Sequence, residues 1–269
     1  MYKAPKKIYL ILNIIIAVVF SSLVYSDAEA VISEEQIKLD VQNELVFDYV
    51  RNFKYILTYK IKHIGEYSYQ DYYYDTPDLA IFNLGYLYRF RVRDKGSGSL
   101  EYGLQFKKEY DVNNKQDFQR TEIDDVIPEE MALKILSGNW SEAFSSNYDL
   151  RTIKEFRKFL EENKIDTKSL SPLIYGQQKR SRFSLKEDGK LYFEISLDKC
   201  SFNLINDARK KEINFLQLEF ENKFKGDRSA MDQREERIQD LIMFFTQNFP
   251  TKVERDSKYR TVVRELIKK

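Results

Sequence analysis

The chain has 269 residues with 44 Lys or Arg and 43 Asp or Glu, and this near balance argues against a general electrostatic attraction to nucleic acid. Its single histidine and single cysteine exclude a histidine-based zinc site and an intramolecular disulfide. A charged fraction of 32%, together with 19 tyrosines and 19 phenylalanines, excludes a disordered chain and is typical of a folded domain rich in strand-forming residues.

The first thirty residues differ from the rest of the chain. Three lysines within the first seven residues precede an apolar run at residues 8–24, and Ala28-Glu29-Ala30 follows. This order is typical of a secretory signal peptide, and we predict cleavage near residue 30. The alternative is an uncleaved anchor that attaches the protein to a membrane through residues 8–24, because the run is longer than a usual signal core. Both interpretations predict an exported domain, periplasmic or extracellular.

The remaining residues predict strands separated by three or four helices. Apolar residues at helical spacing predict a helix within residues 43–62, and an aromatic-rich stretch predicts a strand at residues 66–74. Strands at residues 86–94 and 100–110 flank a glycine-containing turn, which predicts a hairpin. The later predicted elements are a helix from Pro128 to Gly138, a helix capped by Asp149 that reaches about residue 163, strands around residues 174–185, 190–201 and 212–223, and a helix from about Ser229 that Pro250 ends.

Charged residues recur at every second position in several of the predicted strands. The clearest segments are Arg89–Arg93, Arg180–Arg182 and Glu219–Glu221. Because side chains on a strand alternate between its two faces, each segment places its charges on one face of a sheet. If these faces turn inward, they form a barrel lumen with both cations and carboxylates. Such a lumen suits a polyanion together with a divalent metal.

Several short motifs occur in the order found in one known family. The most distinctive are the turn Tyr73-Tyr74-Asp75-Thr76-Pro77, the Arg89-Phe90-Arg91 segment that follows it, and Ser257-Lys258-Tyr259. The other motifs are Glu34-Glu35-Gln36-Ile37-Lys38, Gln105-Phe106-Lys107, Arg120-Thr121-Glu122, Arg180-Ser181-Arg182, Leu197-Asp198 and Glu219-Phe220-Glu221. In these motifs the chain resembles the CYTH family, the triphosphate tunnel metalloenzymes, whose first strand reads Glu-x-Glu-x-Lys. The resemblance covers essentially all of residues 31–269.

The resemblance implies an α+β fold in which an eight-stranded antiparallel β-barrel encloses a triphosphate tunnel and the helices pack outside. It also implies that the tunnel binds magnesium or manganese. The implied phosphate-binding residues are Arg89, Arg91, Lys107, Arg120 and Arg182, followed by Lys38, Arg180 and Lys258. The implied metal ligands are Glu34, Gln36, Glu219 and Glu221, with Glu122 as the next candidate. Asp198 and Glu194 share a strand face and are candidates to support a second metal or to orient water.

From this resemblance we expect an exported, metal-dependent hydrolase of inorganic triphosphate or short polyphosphate. The basic residues would hold the phosphate chain while a carboxylate-bound water attacks its terminal phosphorus. The candidates to orient that water are Glu34, Glu122, Glu219 and Glu221. Export argues against adenylate cyclase and messenger-RNA capping activities, because their substrates are intracellular, and we expect no nucleic-acid partner.

One residue departs from the family signature and keeps alternatives open. Gln36 occupies the position of the second acid, which removes one negative charge from the implied metal site. The first alternative is therefore a module that binds polyphosphate or another phosphorylated ligand without cleaving it. The second alternative is an enzyme similar to polyphosphate polymerases, which share the tunnel.

Overall fold

The structure, a computed structural model, describes residues 32–96, 98–108, 119–140, 148–205, 211–223, 228–254 and 256–267. For residues 32–36, 119–121 and 228–235 the description is limited to the backbone. The predicted signal peptide or anchor, residues 1–30, lies outside the described residues. No helix in the described ranges is both long enough and apolar enough to cross a membrane.

Ten strands and six α-helices have described bounds, and they are numbered here in chain order. The strands are β1 (Ile32–Val41), β2 (Tyr55–Ile56), β3 (Tyr59–Asp75), β4 (Tyr86–Asp94), β5 (Leu100–Lys108), β6 (Gln119–Val126), β7 (Ser171–Glu187), β8 (Lys190–Leu204), β9 (Glu212–Asn222) and β10 (Thr251–Glu254). The helices are α1 (Leu45–Asn52), α2 (Ala80–Asn83), α3 (Glu129–Leu136), α4 (Arg151–Glu162), α5 (Arg228–Asn248) and α6 (Lys258–Leu266).

Eight of the strands pair with one another in a continuous circuit. The order is β1, β6, β5, β4, β3, β7, β8 and β9, and β9 pairs back with β1. The described registers along this circuit are antiparallel. β10 pairs with the end of β1 and β2 pairs with the start of β3, so the sheet has ten strands and not the predicted eight. The predicted α+β class, with a tunnel-like antiparallel sheet and packing helices, is confirmed.

The chain between residues 43 and 62 departs from the predicted single helix. Helix α1 ends at Asn52, and Leu57, with a φ of 52°, then turns the chain between β2 and β3. Residues from Tyr59 onward extend as β3 and pair with the end of β7. The helical spacing of apolar residues therefore predicts α1 correctly but not the residues after it, because long-range pairing with β7 decides their conformation.

The outer faces of the strands carry the apolar core. Helices α3 and α4 cover one part of the sheet through residues such as Met131 and Phe156, which join a cluster with Tyr88 and Phe106. A separate cluster includes residues of α1 and α5 together with residues of β1, β8 and β9. Asp149 does not cap α4 as predicted. Instead Asp125 of β6 accepts the Thr152 N–H at 2.6 Å, so the sheet itself anchors the start of this helix.

Helix α6 lies against the inner face at one end of the sheet. Its residues Tyr259, Val262 and Val263 pack in a cluster with Ile174 and Phe202, which share strand faces with the charged inner residues. This arrangement makes one end of the interior apolar.

Two capping contacts fix where α6 begins. The Ser257 hydroxyl caps the helix by accepting the Arg260 N–H at 3.1 Å, and the Tyr259 hydroxyl donates to Asp75 at 2.9 Å. Asp75 also accepts the N–H groups of Ile81 and Phe82. These bonds place the first residue of α6, Lys258, among the charged groups of the interior.

Candidate functional site

The inner face of the strand circuit collects the alternating charges that the sequence predicts. The strand registers place Asp71 opposite Arg91, Arg180 opposite Asp198, and Lys38 opposite Glu219. These six residues are buried or nearly buried. Opposite charges on paired strands stabilise each other when they share a face, so the interior is a network of ion pairs.

One part of this network surrounds Asp71. Arg91 binds Asp71 through two parallel bonds, Nε to Oδ1 at 2.6 Å and Nη2 to Oδ2 at 2.7 Å. Arg89 donates from Nη1 to Asp71 Oδ2 at 3.2 Å and from Nε to Gln105 Oε1 at 2.5 Å. One carboxylate therefore holds two guanidinium groups, and both guanidiniums have fixed orientations.

Gln105 connects this group to a second ion pair. Its Nε2 donates to Glu122 Oε1 at 3.0 Å, and Lys107 Nζ lies 2.5 Å from Glu122 Oε2. We call this connected set the β4 wall, and it consists of Asp71, Arg89, Arg91, Gln105, Lys107 and Glu122. It contains three cations and two carboxylates.

The facing part of the network is built from β7, β8, β9 and the start of α6. Arg180 donates from Nε to Asp198 Oδ1 at 2.7 Å and from Nη2 to Asp198 Oδ2 at 2.6 Å, and it also binds Glu219. Lys258 Nζ lies 2.9 Å from Asp198 Oδ2 and donates to Glu219 as well. Each cation thus contacts both carboxylates. We call Arg180, Asp198, Glu219 and Lys258 the β8 wall.

The pKa shifts in the two walls follow from these contacts. Burial raises the pKa of Asp71, but Arg89 and Arg91 outweigh it and lower that pKa to about 2. Burial likewise opposes ionisation of Glu219, yet Arg180, Lys258 and Lys38 hold its pKa well below the usual range. Burial disfavours the charged form of Lys258, whereas Asp198 and Glu219 raise its pKa above the usual value. At neutral pH these groups are therefore charged.

A more exposed row of ion pairs lies further along the same strands. Arg182 binds Glu194, and Lys223 binds Glu221 while its Nζ lies 3.9 Å from Glu194. Glu194 and Glu221 are directly opposite each other on β8 and β9, and Gln36 is opposite Glu221 on β1. Two like charges in opposite positions destabilise a sheet unless cations neutralise them, which Arg182 and Lys223 do here.

The tyrosines of β3 divide between the two faces of the sheet. The Tyr69 ring lies on the inner face, with the guanidinium carbons of Arg91, Arg93 and Arg180 at 4.3, 5.5 and 5.8 Å from its centre. Tyr74, by contrast, packs in the outer apolar cluster. Tyr69 therefore contacts arginines of both walls, and its aromatic face stabilises their positive charge.

The structure places most of the predicted site residues on this inner face. The residues it brings into the two walls or into direct register with them are Lys38, Arg89, Arg91, Lys107, Glu122, Arg180, Glu219 and Lys258. Arg182 and Glu221 lie in the more exposed row. The side chains of Glu34, Gln36 and Arg120 lie outside the described residues, so their predicted roles stay predictions.

Asp71 is the main inner residue that the sequence motifs did not single out. It sits between Tyr69 and Tyr73 in the same strand phase, in an otherwise aromatic segment. The sequence signal for Asp71 is its alternation with Tyr69 and Tyr73, which places the three side chains on one face of the strand. The next strand in the chain carries the alternating arginines.

The described side chains include no group of three or more His, Cys, Asp or Glu residues arranged to hold a metal ion. The β8 wall nevertheless offers two adjacent buried carboxylates, Asp198 and Glu219, which both contact the same two cations. Magnesium is commonly held by one or two carboxylates together with substrate phosphates. These two residues therefore fit a divalent ion that arrives with a phosphate ligand.

Comparison with known proteins gives a family and a fold. The family model described as CYTH domain matches residues 45–238. No curated protein matches the chain. The structure is similar to that of HpAC1 from Hippeastrum, which is described as a proposed adenylyl cyclase that has a dominant triphosphatase activity. The TM-score is 0.58, and the identity is 15% over 87% of this chain and 96% of that one.

A protein from Pyrococcus horikoshii OT3 also matches, at a TM-score of 0.48 and 17% identity over 86% of this chain and 99% of that one. The match to the Hippeastrum protein, at 15% identity, indicates a shared fold and not a shared activity. The family match covers most of the chain and includes the strands that carry both charged walls. The chain therefore belongs to the CYTH domain family.

Proposed function

We propose that the protein hydrolyses inorganic triphosphate or short polyphosphate in a reaction that requires a divalent metal. The observation that supports this most directly is the pair of charged walls, in which Arg and Lys side chains of opposite strands converge on one interior. A linear triphosphate carries several negative charges, and forked guanidinium groups bind phosphate oxygens in the way they now bind carboxylates. The triphosphatase activity described for the Hippeastrum protein agrees with this proposal.

When a phosphate chain binds, its oxygens would replace carboxylate oxygens as partners of the arginine and lysine side chains. In the structure Arg89 and Arg91 bind Asp71, while Arg180 and Lys258 bind Asp198 and Glu219. A phosphate chain between the walls would take over some of these donors. In the β8 wall this removes the two cations that bind both buried carboxylates, which is costly unless a new positive charge replaces them.

A divalent ion bound by Asp198 and Glu219 would supply that charge and would also neutralise charge on the phosphates during the reaction. We propose magnesium or manganese, because both accept carboxylate and phosphate oxygens. The predicted ligands Glu34, Gln36 and Glu221 remain candidates to complete the site from the exposed row.

The residues of the walls would hold the phosphate chain in line with the attacking water. Water oxygen bonds to the terminal phosphorus while the bridging P–O bond breaks, so the products are phosphate and diphosphate. Arg89 and Arg91 would stabilise charge on the phosphoryl oxygens. Glu122 is already held by Lys107 and Gln105, which restrains its orientation toward the interior.

The experiment that tests this proposal is phosphate release from tripolyphosphate by the purified protein. Reactions contain magnesium, manganese or a chelator, and a Glu219→Ala, Glu221→Ala double variant is run in parallel. We expect metal-dependent release that the double variant loses. Thermal stabilisation by tripolyphosphate without any release would contradict hydrolysis and would support the binding-module alternative, which the neutral Gln36 favours.

We also propose that the protein is exported, with residues 1–30 acting as a signal peptide or an anchor. The lysines, apolar run and small residues at the start of the sequence support this proposal. The N-terminal sequence of protein recovered from culture fractions tests it. A start near residue 31 indicates cleavage, an intact start in the membrane fraction indicates an anchor, and an intact start in the cytosolic fraction contradicts export.

A further inference from the structure

A buried amide side chain on the inner face has no hydrogen-bond partner among the residues that the structure describes. Gln178 of β7 is only 3% exposed, yet neither its Oε1 nor its Nε2 makes a hydrogen bond. It stands opposite Tyr69 on β3 and opposite Cys200 on β8. Because it lies two residues before Arg180, its side chain points to the same face as the β8 wall.

The neighbours of Gln178 explain why it is unpaired. The Tyr69 ring faces the arginines of both walls. Burial raises the pKa of the Cys200 thiol, which stays neutral and is a weak hydrogen-bonding group. On the side away from Arg180, the Phe202 ring lies against Gly176 so closely that a Cβ there would come within 2.2 Å of it. Gln178 is thus the last polar inner residue of β7 before the apolar end.

A second glutamine in the same interior has hydrogen-bond partners for both atoms of its amide. Gln105 of the β4 wall accepts from Arg89 and donates to Glu122. Each unpaired buried polar group costs about 1–3 kcal/mol, so an apolar residue at position 178 would suit the ligand-free protein better. A glutamine that is unfavourable without ligand, in a cavity wall that otherwise pairs its charges, points to a ligand group as its partner.

We propose that the Gln178 side chain contacts the bound ligand and forms hydrogen bonds with the terminal phosphoryl group of a linear polyphosphate. This proposal rests on the proposed function only in that the tunnel binds such a chain; it does not require cleavage. The amide has both a donor and an acceptor. The terminal phosphoryl group can carry a P–OH as well as P–O⁻ oxygens, so it can both accept from the amide and donate to it, whereas an internal phosphoryl group offers acceptors alone. Gln178 therefore recognises the end of the chain.

The test compares Gln178→Leu with the matched variant Gln105→Leu in the full-length protein. Two quantities are measured: the unfolding temperature without ligand, and the dissociation constant of tripolyphosphate by calorimetry in the presence of chelator. We expect Gln178→Leu to unfold at the same or a higher temperature than the parent and to bind tripolyphosphate at least about tenfold more weakly, because it loses a hydrogen bond to a charged group. Gln105→Leu should lower the unfolding temperature.

Two outcomes overturn the proposal. Unchanged affinity of Gln178→Leu for tripolyphosphate shows that the amide does not touch the ligand. A loss of stability as large as that of Gln105→Leu shows that Gln178 already has a structural partner. Failure of the hydrolase proposal is distinguishable from these outcomes. A protein that binds tripolyphosphate without cleaving it still gives a dissociation constant for the parent and for Gln178→Leu, so the two can be compared.

Discussion

In the β4 wall two guanidinium groups share one buried carboxylate, whereas in the β8 wall two cations share two. Asp71 is held by both Arg89 and Arg91, so either arginine can leave and the carboxylate keeps a partner. Asp198 and Glu219 share the same pair, Arg180 and Lys258, and Lys38 acts on Glu219 as well. When phosphate draws that pair away, the two carboxylates lose the cations that they share, and a further cation would compensate them.

This difference assigns separate tasks to the two walls. The β4 wall can turn a guanidinium toward phosphate without help, so it suits binding in the absence of metal. The β8 wall can release its cations only if a metal replaces them, so it is the part of the site where metal and phosphate are expected to bind together. The following variants test that division of labour.

The largest expected effect is on stability. Lys258→Met removes one of the two cations that Asp198 and Glu219 share, and breaking a buried ion pair in this way costs about 3–5 kcal/mol. Arg91→Met should cost roughly half as much, because Asp71 keeps Arg89. Urea unfolding of both variants measures the difference. Equal losses would show that the walls do not differ in how their charges are compensated.

Glu219→Gln should separate binding from catalysis. We expect the metal-dependent rate of phosphate release to fall about 100-fold, as happens when a group that stabilises transition-state charge is lost. Binding of tripolyphosphate in chelator should persist, because the β4 wall is intact. Glu66→Gln is the control, since this carboxylate is exposed and bonds to Ser181. A metal-dependent rate that survives in Glu219→Gln would place the metal elsewhere.

Much of this arrangement follows from alternation in the sequence. The arginine and glutamate segments of β4, β7 and β9 could be assigned to one face because a strand has a period of two. Their partners could not be assigned, because register depends on long-range pairing. The two-to-one arrangement around Asp71 requires that β3 stand opposite β4 with position 71 against position 91, and no local pattern fixes that.

The errors in the helices have the same origin. The predicted helix beyond Asn52 satisfies local spacing, yet the backbone groups of β3 find partners on β7 and the chain becomes extended. Asp149 has the residue type of a helix cap, but Asp125 reaches the start of α4 from β6. Sequence reasoning found the residue types of the site and missed contacts made between distant segments.

Tyr69 links the two walls, and its aromatic face is the property to test. Tyr69→Leu should raise the KM for tripolyphosphate about fivefold with little change in kcat, because one cation–π contact contributes about 0.5–2 kcal/mol. Tyr69→Phe keeps the ring and should restore the parent KM. A leucine variant with unchanged KM, or a phenylalanine variant as impaired as leucine, would contradict this role.

The smallest expected effect concerns Asp40, near the edge of the β8 wall. Burial, followed by the charge of Glu254, raises its pKa to about 6. Its unfolded pKa is near 3.9, so ionised Asp40 disfavours the folded state progressively as the pH rises from about 4 to about 6 and fully above that. Asp40→Asn should therefore raise stability at pH 8 by about 1 kcal/mol after allowance for solvent screening, and should leave it unchanged at pH 4.

Thermal unfolding at the two pH values measures this change. Equal effects at pH 4 and pH 8 would mean that ionisation of Asp40 is not the cause. The β4 wall offers the contrast, because Asp71 has a lowered pKa and its contribution to stability is lost only in strong acid, as the pH falls from about 4 to about 2.

Helix α6 gives the protein a built-in order of assembly. Lys258 follows every strand of the circuit in the chain, and the carboxylates it neutralises belong to β8 and β9. While the polypeptide is being synthesised from its N-terminus, those strands can pair before residue 258 has been added to the chain. Until residue 258 emerges and Ser257 and Tyr259 dock it, Arg180 remains with both carboxylates and Lys38 with Glu219 among the described cations. A nascent or C-terminally clipped chain thus lacks one positive charge at the very place where phosphate is expected to bind, and it should attract the ligand less strongly than the finished protein does.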